Sequence, residues 1–162
     1  VYHTGIGVTK FGIVHGQSIH FEKIFNCFPF PHFPIQIEDD WKDVMHKKLV
    51  VNVCINPLTA LLQVQNGELI TNPFFYRLME QVFQEVVFLV KEEKEMVWKM
   101  VRHVCERTSR NTSSMLADVR ANRQTEIGAI VGYVLEEAKK QQRSVPTLQF
   151  LFDAIKGLEV KE

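Results

Sequence analysis

The hydrophobic pattern of the chain changes near residue 38. Before that point, short stretches alternate loosely between apolar and polar residues, and segments 8–14 and 18–21 are predicted to be short strands around a turn. Segment 21–28 is predicted to be a short helix and segment 29–37 to be extended. A β-rich portion of this size is too small to form a stable sheet by itself.

After residue 38 the apolar positions follow the period of amphipathic helices. Pro57 is expected to kink or end the first of them, because proline lacks an N–H and its ring clashes with the preceding turn. Asn72 and Pro73 are typical of the N-cap and first residue of the second helix. Six helices are predicted: from 39 toward 57, 72–91, 93–107, a short one after 114, 123–142 and 146–158. Short connections between them indicate a mainly α, helical domain.

The first predicted helix carries a row of polar side chains on an otherwise apolar surface. Segment 49–67 contains no charged residue, so this helix is expected to be central and buried nearly all round. Lys48, Asn52 and Asn56 recur at every fourth position and fall within about 80° of arc. Thr59 joins this polar row if the helix continues that far.

A buried row of one ammonium and two amides needs polar partners. An unpaired buried amide costs about 1–3 kcal/mol, and an unpaired charge costs more. One interpretation is an internal network, with Lys48 bonded to a buried carboxylate. The other is the floor of a cleft that holds a small polar ligand, where the lysine acts as a general acid toward a carbonyl oxygen and the amides orient hydroxyl groups.

Two dipeptides outside the row also offer polar groups. Asn66-Gly67 is typical of a turn. Ser113-Ser114 precedes an apolar run and is most simply a helix N-cap, although its hydroxyls and the neighbouring amides also suit a carboxylate. The sequence leaves both interpretations of the serines open.

The predicted helix 123–142 begins with an acid and contains two glycines. Glu126 is either a favourable acid in the first helical turn or a residue that leads into the apolar face. Gly128 and Gly132 lie four residues apart, and each costs helix propensity, so we expect close approach of another helix there.

Composition excludes several classes of protein. The 162 residues carry 19 basic and 19 acidic side chains, which argues against a nucleic-acid binder or a polybasic membrane anchor that works by bulk charge. The longest uncharged stretch contains asparagine and proline and is too polar to span a membrane. The three cysteines lie far apart and the six histidines are scattered, so we predict no disulfide framework and no metal site.

The beginning of the chain resembles the interior of a longer protein. It starts at Val1, in what reads as a strand, and shows no signal-peptide pattern. We therefore expect a fragment of a cytoplasmic protein.

Five segments carry motifs that belong together. They are 3–12 (His-Thr-Gly-Ile-Gly-Val-Thr-Lys-Phe-Gly), 48–62 (which holds the polar row), 66–69 (Asn-Gly-Glu-Leu), 113–127 (which ends in Thr-Glu-Ile) and 132–135 (Gly-Tyr-Val-Leu). In this order and spacing they resemble the C-terminal part of the ketopantoate reductase family. The resemblance implies a helical domain like the C-terminal domain of 6-phosphogluconate dehydrogenase, over residues 38–162, preceded by a Rossmann domain that binds NADPH.

The resemblance also implies roles for particular residues. Lys48 is expected to be the catalytic lysine, which donates a proton to the ketone oxygen of 2-dehydropantoate as hydride transfer from NADPH gives (R)-pantoate. Glu126 is expected to be an active-site glutamate that orients the substrate and pairs with the lysine. The residues expected to bind substrate are Asn52, Asn56, Asn66 and Ser114.

The dinucleotide motif of the family is absent from the chain. Gly5-Ile-Gly7 has Lys10 where the third glycine of GxGxxG belongs, and residues 1–37 resemble the last strands of a truncated Rossmann domain. We therefore expect the chain to be inactive by itself. The alternatives are a reductase of another branched 2-keto acid and a non-catalytic helical module for dimerisation; a homodimer is permitted in either case.

Overall fold

The computed structural model describes residues 8–12, 35–38 and 40–159. The chain divides into two compact units, Val1–Met45 and His46–Glu162. The predicted strand 18–21 and the predicted helix 21–28 lie outside the described residues.

Among the described residues of the first unit, two short strands run parallel. Strand β1 (Thr9–Gly12) pairs with β2 (Ile35–Glu38), and the Lys10 ammonium lies 2.7 Å from the Glu38 carboxylate. Strand β1 falls within the predicted strand 8–14, and β2 ends the segment predicted to be extended. A Cβ atom on Gly12 would lie 1.8 Å from the Cβ of Trp41, so only glycine fits at the end of β1.

The described part of the chain is otherwise mainly helical, as predicted. The α-helices are α1 (Trp41–Leu62), α2 (Glu68–Thr71), α3 (Pro73–Val86), α4 (Lys94–Arg107), α5 (Ser114–Arg120), α6 (Tyr133–Lys140) and α7 (Pro146–Glu159). A 3₁₀ turn (Val87–Leu89) follows α3, and a π-helical segment (Gly128–Gly132) leads into α6. The predicted helix 123–142 therefore begins several residues later than expected.

Helix α1 continues through Pro57, so the predicted end at this residue is wrong. Pro57 is buried in the apolar side of the helix together with Val53 and Leu58. Packing of this side stabilises the helix more than the missing N–H of one proline destabilises it. After Lys48, every residue of the helix is buried or half-buried, in line with the expected burial nearly all round, whereas Lys48 itself is exposed.

Three helices end at a non-glycine residue in the left-handed conformation. The φ angles are 58° at Gln63 after α1, 53° at Asn122 after α5 and 53° at Gln142 after α6. After α6, the Gln142 N–H donates to Lys139 O and the Arg143 N–H donates to Ala138 O, which is the Schellman pattern. Arg120 then ties two of these ends together by donating to the side-chain and backbone oxygens of Gln63.

The core of the second unit lies between α1 and the later helices. Trp98 is 7 % exposed, and its ring lies 4.8 Å from Phe83 and 5.6 Å from Tyr76 between centroids. The apolar side chains buried with them include Val53, Leu69, Val101, Leu116, Ile127, Leu148 and Ile155. In the described residues, no helix combines the length and apolar character that crossing a bilayer requires.

The two glycines of the predicted helix 123–142 have different surroundings. A Cβ atom on Gly132 would lie 3.3 Å from Cε2 of Phe152 in α7, so close helix approach is confirmed there. A Cβ atom on Gly128 would meet no described atom within 4 Å. The predicted close approach at Gly128 is therefore wrong.

Candidate functional site

Helix α1 presents the predicted polar row as one continuous edge. Lys48 is exposed, and Asn52 and Asn56 are half-buried. Within segment 40–159 none of these three side chains forms a hydrogen bond or ion pair with another described residue. Half-buried amides without protein partners are free to hydrogen-bond a ligand or water.

The far end of the row is an internal network. Thr59 is fully buried, and its Oγ1 lies 2.7 Å from Oγ of Ser113. The Thr59 hydroxyl donates to the carbonyl oxygens of Ile55 and Asn56, at 2.9 and 3.0 Å, so the proton between the two hydroxyls comes from Ser113. The network interpretation therefore applies to Thr59, and it joins α1 to the beginning of α5.

The two adjacent serines have different roles in the structure. Ser113 is the N-cap of α5, and its Oγ accepts the Leu116 N–H at 3.1 Å, which confirms the capping interpretation. Ser114 is the first residue of the helix and is exposed, and its hydroxyl forms no bond to the described part of the chain. Ser114 is therefore available to a ligand, close to the end of the polar row.

Asn66 lies in a turn that packs on the loop before these serines. Its backbone N–H donates to Asn111 O, and its Nδ2 donates to Thr108 Oγ1 at 2.9 Å. The side chain is 7 % exposed, and its Oδ1 is buried without a partner among the described residues. Glycine is the residue that fits at position 67 of this turn, because a Cβ atom there would lie 2.8 Å from Cβ of Ser109. Leaving a buried acceptor unpaired costs free energy, so this oxygen favours any hydroxyl or ammonium donor that can reach it.

Glu126 lies at the beginning of the π-helical segment and is exposed. Thr125 Oγ1 accepts the Ile127 N–H at 3.2 Å, and Glu126 O accepts the Ile130 N–H at 2.9 Å. An acid in this first turn is favourable next to the helix N-terminus. π-Helical segments inside helices occur frequently at functional sites.

Glu126 and Lys48 do not form an ion pair in this structure. No described cation approaches the Glu126 carboxylate within 4.0 Å. Lys47, the residue before Lys48, pairs with Glu92 at 2.5 Å. The helical segment that follows Glu126 nevertheless packs near the beginning of α1. Seven residues after Glu126, the Tyr133 hydroxyl lies 3.0 Å from Nε2 of His46, two residues before Lys48.

Hydrogen bonds thus connect the polar row at Thr59 with Ser113, next to Ser114, and the turn of Asn66 with the loop before these serines. The helix that follows Glu126 contacts α1 through the hydrogen bond between Tyr133 and His46. Sequence reasoning missed Thr125 and Glu159, whose side chains bond to each other beside Glu126. No local pattern signals this contact, because the two residues lie 34 positions apart.

The two cysteines that the structure describes offer no nucleophile. Burial raises the pKa of Cys54 well above its usual range, and burial followed by the nearby Glu106 carboxylate raises the pKa of Cys105 to about 12. Both thiols therefore stay protonated at neutral pH. In the part of the chain described by the structure, no three His, Cys, Asp or Glu side chains are placed to hold a metal ion.

The comparison with protein families identifies the chain. The family described as Ketopantoate reductase PanE/ApbA C terminal matches residues 40–159. The chain belongs to the ketopantoate reductase family. A 2-dehydropantoate 2-reductase of Bacillus subtilis is 46 % identical over 160 residues, which cover 98 % of this chain and 54 % of that protein. The chain therefore spans about half the length of this curated relative.

Solved structures share the fold of this chain. A Bacillus subtilis structure described as a probable 2-dehydropantoate 2-reductase is 45 % identical, with a TM-score of 0.89 over 97 % of this chain and 54 % of that one. A D-mandelate dehydrogenase bound to NADH and anilino(oxo)acetate is 20 % identical, with a TM-score of 0.87 over 98 % of this chain and 69 % of that one. A dimeric ketopantoate reductase of Staphylococcus aureus is 18 % identical, with a TM-score of 0.78 over 93 % and 53 %.

Proposed function

We propose that this chain is the substrate-binding and catalytic half of an NADPH-dependent 2-dehydropantoate 2-reductase, which forms (R)-pantoate for pantothenate and coenzyme A synthesis. The observation that carries the proposal is the polar row of α1, whose lysine and two asparagines have no partner among the described residues. Membership of the ketopantoate reductase family supports the same assignment.

In this proposal Lys48 is the general acid. Reduction of the ketone turns its carbonyl oxygen into an alkoxide, and negative charge grows on that oxygen in the transition state. An ammonium that is already in place stabilises this charge more than it stabilises the neutral ketone, and it then gives its proton to the oxygen. Solvent reprotonates the exposed lysine after each turnover.

The neighbouring polar groups are proposed to hold the rest of the substrate. Asn52 and Asn56 lie on the same edge of α1 as Lys48 and can orient the ketone and hydroxyl groups. The buried Oδ1 of Asn66 can accept the substrate hydroxyl, and the Ser114 hydroxyl can donate to the carboxylate. Fixed contacts of this kind convert a bimolecular encounter into an oriented one.

Glu126 is proposed to orient the substrate from a second element. Its pairing with Lys48 stays a prediction, because the two side chains form no ion pair in this structure. The exposed carboxylate at the head of its helix is free to turn toward a ligand.

The described residues do not fit a dinucleotide site. Gly12, the glycine in the described strands, is covered by Trp41, so its backbone offers no open cradle for a pyrophosphate. We therefore propose that NADPH is bound by a Rossmann part of the reductase outside this chain, that residues 1–37 belong to that part, and that residues 38–162 form the helical domain. The proposed consequence is that the chain alone does not turn over.

A second candidate is a reductase of another branched 2-keto acid. D-mandelate dehydrogenase shares the fold with a TM-score of 0.87 and was solved with NADH and anilino(oxo)acetate. In that protein the same fold is found with NADH and a 2-oxo carboxylate other than 2-dehydropantoate.

The decisive experiment compares this chain alone with the same chain fused to the N-terminal part of the Bacillus subtilis relative that lies outside the match. Both are given NADPH or NADH and a panel of 2-keto acids, and loss of reduced-cofactor absorbance is followed. We expect turnover in the fusion, fastest with 2-dehydropantoate and NADPH, and none in the isolated chain. Equal rates across the panel would contradict the substrate assignment.

Inactivity of a correctly folded fusion toward every keto acid would favour the remaining alternative, a non-catalytic helical module for dimerisation. A homodimer is also proposed for the active protein, and sedimentation equilibrium of the fusion tests it. The cytoplasmic location stays a prediction.

A further inference from the structure

We infer that Glu159, the last described residue of α7, is a positioning residue that sets the place of Glu126 by holding Thr125. This inference rests on the proposed role of Glu126 in substrate binding. It adds a residue from the other end of the domain to the machinery of the site.

The Glu159 carboxylate binds the residue just before Glu126 through two bonds. Its Oε1 accepts the backbone N–H of Thr125 at 2.8 Å and the Thr125 hydroxyl at 2.6 Å. Its Oε2 accepts the Lys156 ammonium at 2.7 Å, and its side chain is only 11 % exposed. Both oxygens are thus occupied by donors.

These bonds continue to the residue just after Glu126. Thr125 Oγ1 accepts the N–H of Ile127, whose side chain is completely buried. Glu126 itself has an exposed side chain without a described partner, so only its backbone neighbours fix its position. Thr125 is fixed by Glu159 and Ile127 by the core, and the carboxylate of Glu126 extends from between them.

An ionised carboxylate is the group that this arrangement needs. Burial by itself raises the pKa of Glu159, but the hydrogen bonds from Lys156 and from the Thr125 hydroxyl and amide outweigh it, so the pKa lies below its ordinary value. A glutamine has one acceptor oxygen in place of two. The single oxygen of a glutamine can keep both Thr125 bonds only if its NH2 group faces the Lys156 ammonium, where two donors meet without an acceptor, so Glu159→Gln loses the bond to Lys156 and weakens the hold on Thr125.

Glu85 provides a matched control in the same domain. Its two carboxylate oxygens accept the backbone N–H groups of Thr147 and Leu148 at 3.0 and 2.9 Å, at the beginning of α7. Glu85→Gln thus removes half of a carboxylate clamp of the same kind, but it leaves the contacts of Thr125 and Glu126 intact. Both variants are expected to lower stability by a similar amount.

The test measures steady-state kinetics of the active fusion enzyme carrying each variant, after circular dichroism has shown that it is folded. We expect Glu159→Gln to lower kcat/KM for the keto acid by roughly tenfold, because small displacements of a substrate-orienting group are costly. The KM for NADPH should not change, and Glu85→Gln should stay within about twofold of wild type, since its effect is confined to stability. Equal losses in the two variants would overturn the inference.

A double mutant separates positioning from a general loss of stability. In an enzyme that already carries Glu126→Ala, Glu159→Gln should have no further effect on kcat/KM, because it acts through Glu126. Additive losses would overturn the inference. If Glu126→Ala alone leaves kcat/KM unchanged, the proposed role of Glu126 fails, whereas a loss with Glu126→Ala but none with Glu159→Gln rejects only the positioning role.

A second pair of variants covers the case in which Glu159→Gln does not fold. Thr125→Val removes the hydroxyl that links Glu159 to Ile127, whereas Thr125→Ser keeps it. We expect the loss in kcat/KM with valine and its recovery with serine. Equal kinetics in the two variants would contradict the relay from Glu159.

Discussion

At the scale of single residues, adjacent side chains of the same type differ in their contacts. Ser113 caps α5 and bonds to Thr59, whereas Ser114 is exposed. Lys47 pairs with Glu92, whereas Lys48 has no described partner. In each pair one side chain is bonded within the fold, and the other is exposed without a partner among the described residues.

The lysine pair gives a controlled test of the general acid. In the active fusion, Lys48→Ala should lower kcat by roughly 10²- to 10⁴-fold, the usual contribution of a positioned proton donor. Lys47→Ala removes the same charge one position away and should leave kcat close to wild type. Steady-state kinetics with 2-dehydropantoate measure both. A loss confined to the affinity for NADPH would contradict the role of Lys48.

The Thr59–Ser113 bond makes a prediction about stability. Thr59→Val keeps the shape of the buried side chain but leaves the Ser113 hydroxyl without its acceptor, so the free energy of unfolding should fall by about 1–3 kcal/mol. Thr59→Ser keeps the hydroxyl and should lose less. Urea denaturation of the chain measures both. Equal losses would show that the hydroxyl pair does not stabilise the domain.

At the scale of elements, helix ends explain most of the disagreement between sequence and structure. Glutamine is an unusual residue in the left-handed conformation, which favours glycine and asparagine, so nothing marked Gln63 as the end of α1, whereas the predicted end at 142 lies two residues beyond the last residue of α6. Proline is a common helix breaker, but at Pro57 the packing of α1 outweighed this local preference. The helical class, the N-caps at Asn72 and Ser113 and the row on α1 were predictable, because each depends on nearby residues.

The left-handed glutamine after α6 gives a prediction about stability. Gln142→Gly relieves a strained conformation at φ 53° and should raise the free energy of unfolding by about 0.5 kcal/mol. The gain is small because glycine also has more conformational freedom in the unfolded chain. Gln141→Gly, at a residue with φ −95°, should instead lower it by up to about 1 kcal/mol. Chemical denaturation of the two variants tests this opposite sign.

At the scale of the whole molecule, contacts between distant parts of the chain hold the site. The bond from Glu159 to Thr125 and the bond from Asn66 to Thr108 span 34 and 42 positions. Such pairings follow from the tertiary fold and leave no local pattern in the sequence. The polar row and Asn66 could therefore be predicted from the sequence, whereas Thr108, Thr125 and Glu159, which hold Asn66 and the residue before Glu126, could not.

The same long-range clamp predicts how stability depends on pH. The pKa of Glu159 is lowered in the folded chain, so its contribution to stability is complete above the ordinary value of 4.5 and is lost as the pH falls through the lower folded value. Denaturation of wild type and Glu159→Gln at about pH 6 and about pH 3 should show the difference between them shrinking in acid. A difference independent of pH would mean that the carboxylate is not the stabilising group.

The buried Oδ1 of Asn66 has a consequence for discrimination among isosteric compounds. Folding has already stripped this oxygen of water, so a molecule that brings an O–H recovers a bond, whereas one with a methyl in the same place recovers nothing. Pockets built around such an unmet acceptor can reject the analogue by about 10⁴-fold or more, far beyond what shape alone achieves. In the proposed reductase, the dehydrated amide of Asn66 would favour a hydroxylated keto acid over its deoxygenated analogue.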